Sequence, residues 1–132
     1  MANKIFIVED DLPTVELLKF ALQSEGFDVA VVHDGITALR SVEKEKPDLI
    51  LLDVMIPGVD GFEVCQLLKH NIKFMKIPII MVTAKVRKED RMLGFEKGAD
   101  DYISKPFDPI ELVSRVKKLL SEKDLKGDSE PK

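Results

Sequence analysis

The chain holds a single cysteine, Cys65, among its 132 residues. An internal disulfide and a cysteine-based metal site are thereby excluded, and the composition fits a reducing compartment. Long apolar runs are lacking as well. Runs such as Leu49 to Leu52 and Ile79 to Val82 fall far short of the ~20 residues a membrane-spanning helix needs. Before Glu9-Asp10-Asp11 the longest apolar run is the four residues Ile5 to Val8, which is too little for a secretory signal. Nor is there an excess of positive charge: 20 Lys and Arg against 24 Asp and Glu leave a net charge of −4. Bulk attraction to nucleic acid or to an anionic membrane is therefore missing. Collagen-like, disordered and disulfide-scaffold compositions are absent too. What remains is a soluble, cytoplasmic chain of one domain's length, enough to bury roughly 70% of its unfolded surface around one core. Any metal would have to be held by carboxylates, carbonyls or the two histidines, His33 and His70.

Short apolar runs alternate with longer amphipathic ones. The pattern predicts strands over Lys4 to Val8, Phe27 to Val32, Asp48 to Asp53, Pro78 to Thr83 and Asp101 to Ser104. Helices are predicted over Pro13 to Ser24, Gly35 to Lys44, Gly61 to His70, Lys88 to Lys97 and Pro109 to Glu122. The strands Ile5 to Val8, Leu49 to Leu52 and Ile79 to Val82 are apolar at successive positions, as when both faces are covered. Helical spacing relates Val15, Leu18 and Leu22 in the first helix and Ile110, Val113, Val116 and Leu120 in the last. Five strands, each followed by a helix, imply right-handed crossovers and a three-layer α/β sandwich with a parallel sheet. Gly26 and Gly98 stand where helices end and a left-handed residue is wanted. Asp108 caps the last helix, Pro109 opens it, and Glu111 sits at capping-box spacing. Asp34-Gly35 and Pro57-Gly58 mark turns. From Ser121 the sequence SEKDLKGDSEPK is polar and charged, so residues 1–120 form the domain and 121–132 an unstructured tail or the start of a linker.

In an open parallel sheet ligands bind beyond the carboxyl ends of the strands. The first strand ends in Glu9-Asp10-Asp11, the third in Asp53, the fourth in Thr83-Ala84, and the fifth is followed by Lys105-Pro106. If the first and third strands are neighbours, three carboxylates meet at one edge, and each resists ionising unless a cation is supplied. An all-oxygen, incomplete ligand set suits Mg²⁺. Lys105 and Thr83 add an ammonium and a hydroxyl suited to phosphoryl oxygens. Singly, each has a plainer role: acids at strand ends cap helices, threonine favours strands, and lysines are solvated. Asp53 is the exception, because a carboxylate closing the apolar strand LILLD is costly to bury without a partner.

These residues resemble the receiver domain of two-component response regulators. The likeness covers about Lys4 to Leu120 and rests on IFIVEDD, LILLDVMIPGVDG, IIMVTA and GADDYISKPF, in order and at the expected spacing. It implies a doubly wound five-stranded flavodoxin-like sheet of order 2-1-3-4-5, the order of a chemotaxis member of this family. It also implies a signalling domain rather than an enzyme, one that takes part in its own phosphoryl transfer and autodephosphorylation. Asp53 would accept a phosphoryl group from a sensor histidine kinase. Asp10, Asp53 and the Met55 carbonyl would bind Mg²⁺, with Glu9 acting through a water. Lys105, Thr83 and the Ala84 amide would contact the phosphoryl group, and a cis peptide would precede Pro106. Thr83 and the aromatic Tyr102 would form the switch. The branch with winged-helix DNA-binding outputs dimerises through the fourth helix, fifth strand and fifth helix, and Arg87, Arg91, Asp100, Asp101, Glu111 and Arg115 resemble its charged pairs. Lys97 departs from that pattern, standing where the branch often has an acid. The resemblance thus implies a phosphorylation-dependent homodimer. The length leaves no room for an effector domain, which is expected to be absent or supplied by a separate protein, the chain being either a stand-alone receiver or one excised from a longer regulator.

Two rival chemistries fit less well. A flavin carrier of similar topology needs a Ser/Thr/Gly-rich phosphate loop after the first strand, where Glu9-Asp10-Asp11 would repel it. An aspartyl-phosphate hydrolase would need Asp-x-Asp there, whereas Asp10 is followed two positions later by Leu12.

Overall fold

The computed structural model describes residues 2–129. Five strands and five helices alternate: β1 (Lys4–Val8), α1 (Leu12–Ser24), β2 (Asp28–Val32), α2 (Gly35–Glu45), β3 (Leu49–Leu52), α3 (Gly61–Lys69), β4 (Ile79–Thr83), α4 (Lys88–Glu96), β5 (Asp101–Ser104) and α5 (Pro109–Ser129). All pairings are parallel, in the order β2-β1-β3-β4-β5.

Alternation along each strand splits the core in two. Ile5, Ile7, Leu49, Leu51, Ile80, Val82 and Ile103 pack with α1 and α5, through Leu18, Leu22, Leu112, Val113 and Val116. Phe6, Val8, Ile50, Leu52, Ile79, Met81 and Tyr102 pack on the opposite face with α2 and α3, through Ala38, Val42, Val64 and Leu68. Covered on both faces, the three central strands are apolar except at Lys4, which opens β1, and Thr83, which closes β4, whereas β2 at the sheet's edge is only half-buried. Among the described residues no helix is long and apolar enough to cross a membrane.

Helix ends follow local chemistry. Asp11, Asp34 and Asp60 cap α1, α2 and α3 by accepting from the amides of Thr14, Thr37 and Glu63. Asp108 accepts from the Ile110 amide at the start of α5. Glu111 does not complete a capping box there, because its carboxylate goes to Arg115, one turn on, at 2.7 Å. Gly26 and Gly98 do adopt positive φ, +89° and +108°.

Several expectations need correction. Ile110 is 81% exposed, and Leu112 takes its place in the buried stripe with Val113, Val116 and Leu120. Leu112, Val116 and Leu120 follow one another at i, i+4 and i+8, with Val113 beside them, whereas position 110 lies about 120° around the helix from the centre of that row. Asp34-Gly35 is a cap and first helical residue rather than a turn. The α5 helix also continues to Ser129 instead of ending near Glu122. From Ser121 to Lys126 no glycine or proline intervenes, and each added residue gains a backbone hydrogen bond once the helix exists. The remainder of the expected tail, residues 130–132, lies outside the described residues.

Candidate functional site

The sheet order places the exits of β1 and β3 side by side, with Val8 paired to Leu52. Past that pair, the Glu9 amide donates to the Val32 carbonyl at 3.0 Å and the Asp53 amide to the Val8 carbonyl at 3.1 Å. Both acids are thus fixed by sheet-like bonds just beyond the strand ends. Carboxylate oxygens of Glu9, Asp10 and Asp53 all lie within 4.8 Å of one another, the only such acidic or metal-ligating group of three or more among the described residues. Glu9 and Asp53 are buried, 2% and 5% exposed, while Asp10 faces solvent.

Lys105 reaches into this cluster from the far end of β5. Its Nζ lies 2.5 Å from Glu9 Oε1 and 3.0 Å from Asp53 Oδ2. The other oxygens are also bound: Asp53 Oδ1 accepts from the Met55 amide at 3.0 Å and Glu9 Oε2 from the Asp11 amide at 3.1 Å. Burial raises the Glu9 carboxyl above its ordinary value, aided by the negative charge of Asp53 and opposed by Lys105. The Lys105 ammonium loses solvation on burial, yet its hydrogen bonds to Glu9 and Asp53 and their charges outweigh that loss and raise its pKa. Three carboxylates against one ammonium leave the pocket two units short of neutrality, with oxygen donors only. That donor set fits a hard divalent cation such as Mg²⁺.

Thr83, fully buried, ends β4 beside the cluster, and its hydroxyl accepts from the Lys85 amide at 3.3 Å. Its carbonyl accepts from the Lys105 amide at 2.9 Å, tying the β4 exit to the lysine. The Lys105-Pro106 peptide is cis, as the resemblance implied. Ala84 is exposed directly after Thr83. Tyr102 lies buried, with its hydroxyl donating to the Lys85 carbonyl at 2.6 Å.

The six residues expected on a dimer face fall into separate groups. Arg115 binds Asp101 at 3.0 Å and Glu111 at 2.7 Å within the chain. Arg87 pairs with Glu89 and Asp90 at the start of α4, and Arg91 lies over the Tyr102 ring at 5.2 Å. Asp100 is engaged elsewhere: it binds Lys69 and accepts from the Ile79 amide, both at 2.8 Å.

Some contributions were not legible in the sequence. His33, considered only as a possible ligand, uses Nδ1 to donate to the Glu9 carbonyl at 2.9 Å and so steadies the β1 exit. Gly61 lets α3 start flush against the chain leaving β3: a Cβ there would stand 2.3 Å from the Asp53 carbonyl oxygen and 2.6 Å from Val54 Cα. Gly35 similarly admits the Val59 carbonyl, 2.1 Å from where its Cβ would be. The signal for both is a glycine as the first residue of a helix, directly after a capping aspartate.

Residues 5–117 match the family model described as the response regulator receiver domain. The chain is 48% identical over 124 residues to the DNA-binding response regulator MtrA of Mycobacterium tuberculosis, a match covering 94% of this chain and 53% of the relative. It therefore spans about half the length of the curated relatives it matches. Among solved structures, the BeF3-activated N-terminal receiver domain of Klebsiella pneumoniae RstA matches with a TM-score of 0.83 at 37% identity, covering 89% of this chain and 98% of that one. The signal receiver domain of a signal transduction histidine kinase from Syntrophus aciditrophicus gives a TM-score of 0.86 at 39% identity, covering 92% of each chain.

Proposed function

Because the chain belongs to the receiver-domain family of two-component response regulators, we propose that Asp53 is its phosphoacceptor and that a sensor histidine kinase is the donor. One observation carries this reading: three carboxylates converge within 4.8 Å around a lysine that bonds two of them, at the edge where Thr83 also ends.

Transfer begins when an Asp53 carboxylate oxygen attacks the phosphorus of a phosphohistidine. The P–N bond breaks, its electron pair stays on the imidazole, and an acyl phosphate forms on Asp53. The bond from the Met55 amide holds one Asp53 oxygen and so fixes the carboxylate plane. Lys105 already lies 3.0 Å from the other oxygen, close enough to follow the new charge onto a phosphoryl oxygen. The Thr83 hydroxyl and the Ala84 amide meet the remaining oxygens. Such contacts accelerate transfer by positioning and by neutralising charge.

Asp10, Asp53 and the Met55 carbonyl would hold Mg²⁺, with Glu9 acting through a water. Bound there, the ion would offset repulsion between an anionic nucleophile and an anionic donor. Later hydrolysis of the acyl phosphate at the same site would return the chain to its starting state. The new dianion biases a two-state surface on α4, β5 and α5. Arg87, Arg91, Asp100, Asp101, Glu111 and Arg115 would supply charge pairs for a two-fold homodimer there. Direct contact with nucleic acid is left to an effector domain.

The test is intact mass after incubation with a small-molecule phosphodonor such as acetyl phosphate. With Mg²⁺ the chain should gain one phosphoryl group, and with excess EDTA it should gain little. No gain under either condition would overturn the reading.

A further inference from the structure

Gly94 stands in the middle of α4, and nothing in its backbone calls for glycine. Its φ is not among the positive values, which belong to Gly26, Gly58, Gly98 and Lys46. Glycine in a helix interior is a poorer choice than alanine. What requires it is a neighbour. A Cβ on Gly94 would stand 2.8 Å from both Cδ2 and Cε2 of Tyr102, and its next contact, Phe62 Cε1, is an ordinary 3.7 Å away. The ring alone makes an alanine crowd.

Other contacts hold the ring in that place. Its hydroxyl donates to the Lys85 carbonyl at 2.6 Å. The Arg91 guanidinium lies over its face, 5.2 Å from the centroid, and Nη1 donates to the Tyr102 carbonyl at 3.4 Å. Phe95 packs against it at a tilt, with centroids 6.4 Å apart. Apart from that carbonyl, these partners come from α4 or from the loop leading into it.

We propose that Gly94 is a notch that receives the Tyr102 ring, so that side-chain size at position 94 sets the balance between a buried ring and one turned out to the surface. With the ring in the notch, Arg91 is occupied by it. With the ring out, both the phenol and the guanidinium are offered to the face carrying Asp101, Glu111 and Arg115. The Lys85 peptide joins the notch to the site, since its carbonyl accepts from Tyr102 and its amide donates to Thr83. The signalling consequence of this linkage rests on the reading of Thr83 and Asp53 above, whereas the notch itself does not.

Tyr102 is the sole tyrosine and the chain has no tryptophan, so near-ultraviolet signals report this ring directly. In the native chain, burial foremost and the charge of Asp90 push the phenol up to about 12 from 10.0. In Gly94→Ala the phenol should titrate close to 10, a roughly hundred-fold change in proton affinity. At neutral pH, acrylamide should quench tyrosine fluorescence several-fold more readily than in the parent. A folded Gly94→Ala chain whose ring stays shielded in both measurements would overturn the proposal. Should Gly94→Ala fail to fold, Gly94→Ala in a Tyr102→Ala background decides. The notch predicts that this double variant folds and melts above Tyr102→Ala alone; a double variant that does not fold, or melts lower, would refute it. No phosphodonor is used, so an Asp53 that failed to accept a phosphoryl group would leave these results standing.

Discussion

Asp53→Asn is expected to show no phosphoryl gain under conditions that load the parent chain fully, while remaining folded. Asparagine keeps the size of the side chain and still offers an oxygen to the Met55 amide. What it lacks is an anionic oxygen able to attack phosphorus. Stability should change by no more than about 1 kcal/mol, because two effects oppose each other. Lys105 loses one of its two charged partners, but Glu9 loses a buried negative neighbour that raises its pKa. Mg²⁺ should separate the variant further. Ligand binding to the folded state stabilises by about 2.7 kcal/mol at a hundred-fold excess over the dissociation constant. A thermal melt of the parent should therefore rise with Mg²⁺, and that of Asp53→Asn should rise much less. An equal rise in both would remove Asp53 from the proposed ligand set.

Lys105→Met is expected to cost about 3 kcal/mol of stability in EDTA at neutral pH, read from urea unfolding. The lysine side chain is largely buried between two acids whose side chains are themselves buried. Removing it leaves two buried anions facing each other beside Asp10. Breaking a buried pair from one side costs ~3–5 kcal/mol, and the lower end applies here because Asp10 opens the pocket to water. The loss should depend on pH with a definite sign. Glu9 has a folded pKa raised above 4.5, burial being the main cause and Lys105 the main restraint, so removing Lys105 raises it further. Below the unfolded value, Glu9 is protonated in both states and that part of the penalty vanishes. As pH rises through the raised folded value, the folded state must give up a proton it holds tightly, and stability falls. Melts near pH 5 should thus show a smaller deficit than melts near pH 8. A deficit independent of pH would mean that lost packing, not the stranded acids, explains the cost. Added Mg²⁺ should recover part of the loss.

How much of this was legible in the sequence depends on how local the cause is. The three central strands could be read directly because burial on both faces leaves β1, β3 and β4 apolar at every position but their ends, Lys4 and Thr83. The cap at Asp108 could be read because its side chain sits two residues from the amide it serves. Asp34 caps by the same local chemistry, yet Asp-Gly reads equally well as a turn. The strand order was different: periodicity is silent on it, and the resemblance supplied it. Without that order, Glu9, Asp10 and Asp53 remain three unrelated acids. The double engagement of Lys105 spans 96 and 52 residues, so only the fold brings it about. The reach of α5 past Glu122 was missed because a polar composition reads as tail even where nothing interrupts the helix. The exchange of Ile110 for Leu112 shows that apolar spacing alone does not say which of two stripes faces the sheet. The glycines at 35 and 61 left only the local hint of an Asp-Gly at a helix start, and Gly94 left none. What excludes a Cβ there is Val59, Asp53 and Tyr102, brought into contact by the packing of a helix on its neighbours rather than by any residue type the sequence pattern marks.

The most direct test of the phosphoacceptor is chemical trapping at the residue itself. Borohydride reduces the carbonyl carbon of an acyl phosphate to an alcohol, releasing the phosphate and leaving homoserine in place of the modified aspartate. After loading with a small phosphodonor and Mg²⁺, peptide sequencing by mass spectrometry should find homoserine at position 53 and native aspartate at positions 10 and 11. Homoserine at position 10 or 11 with aspartate intact at 53 would contradict the account.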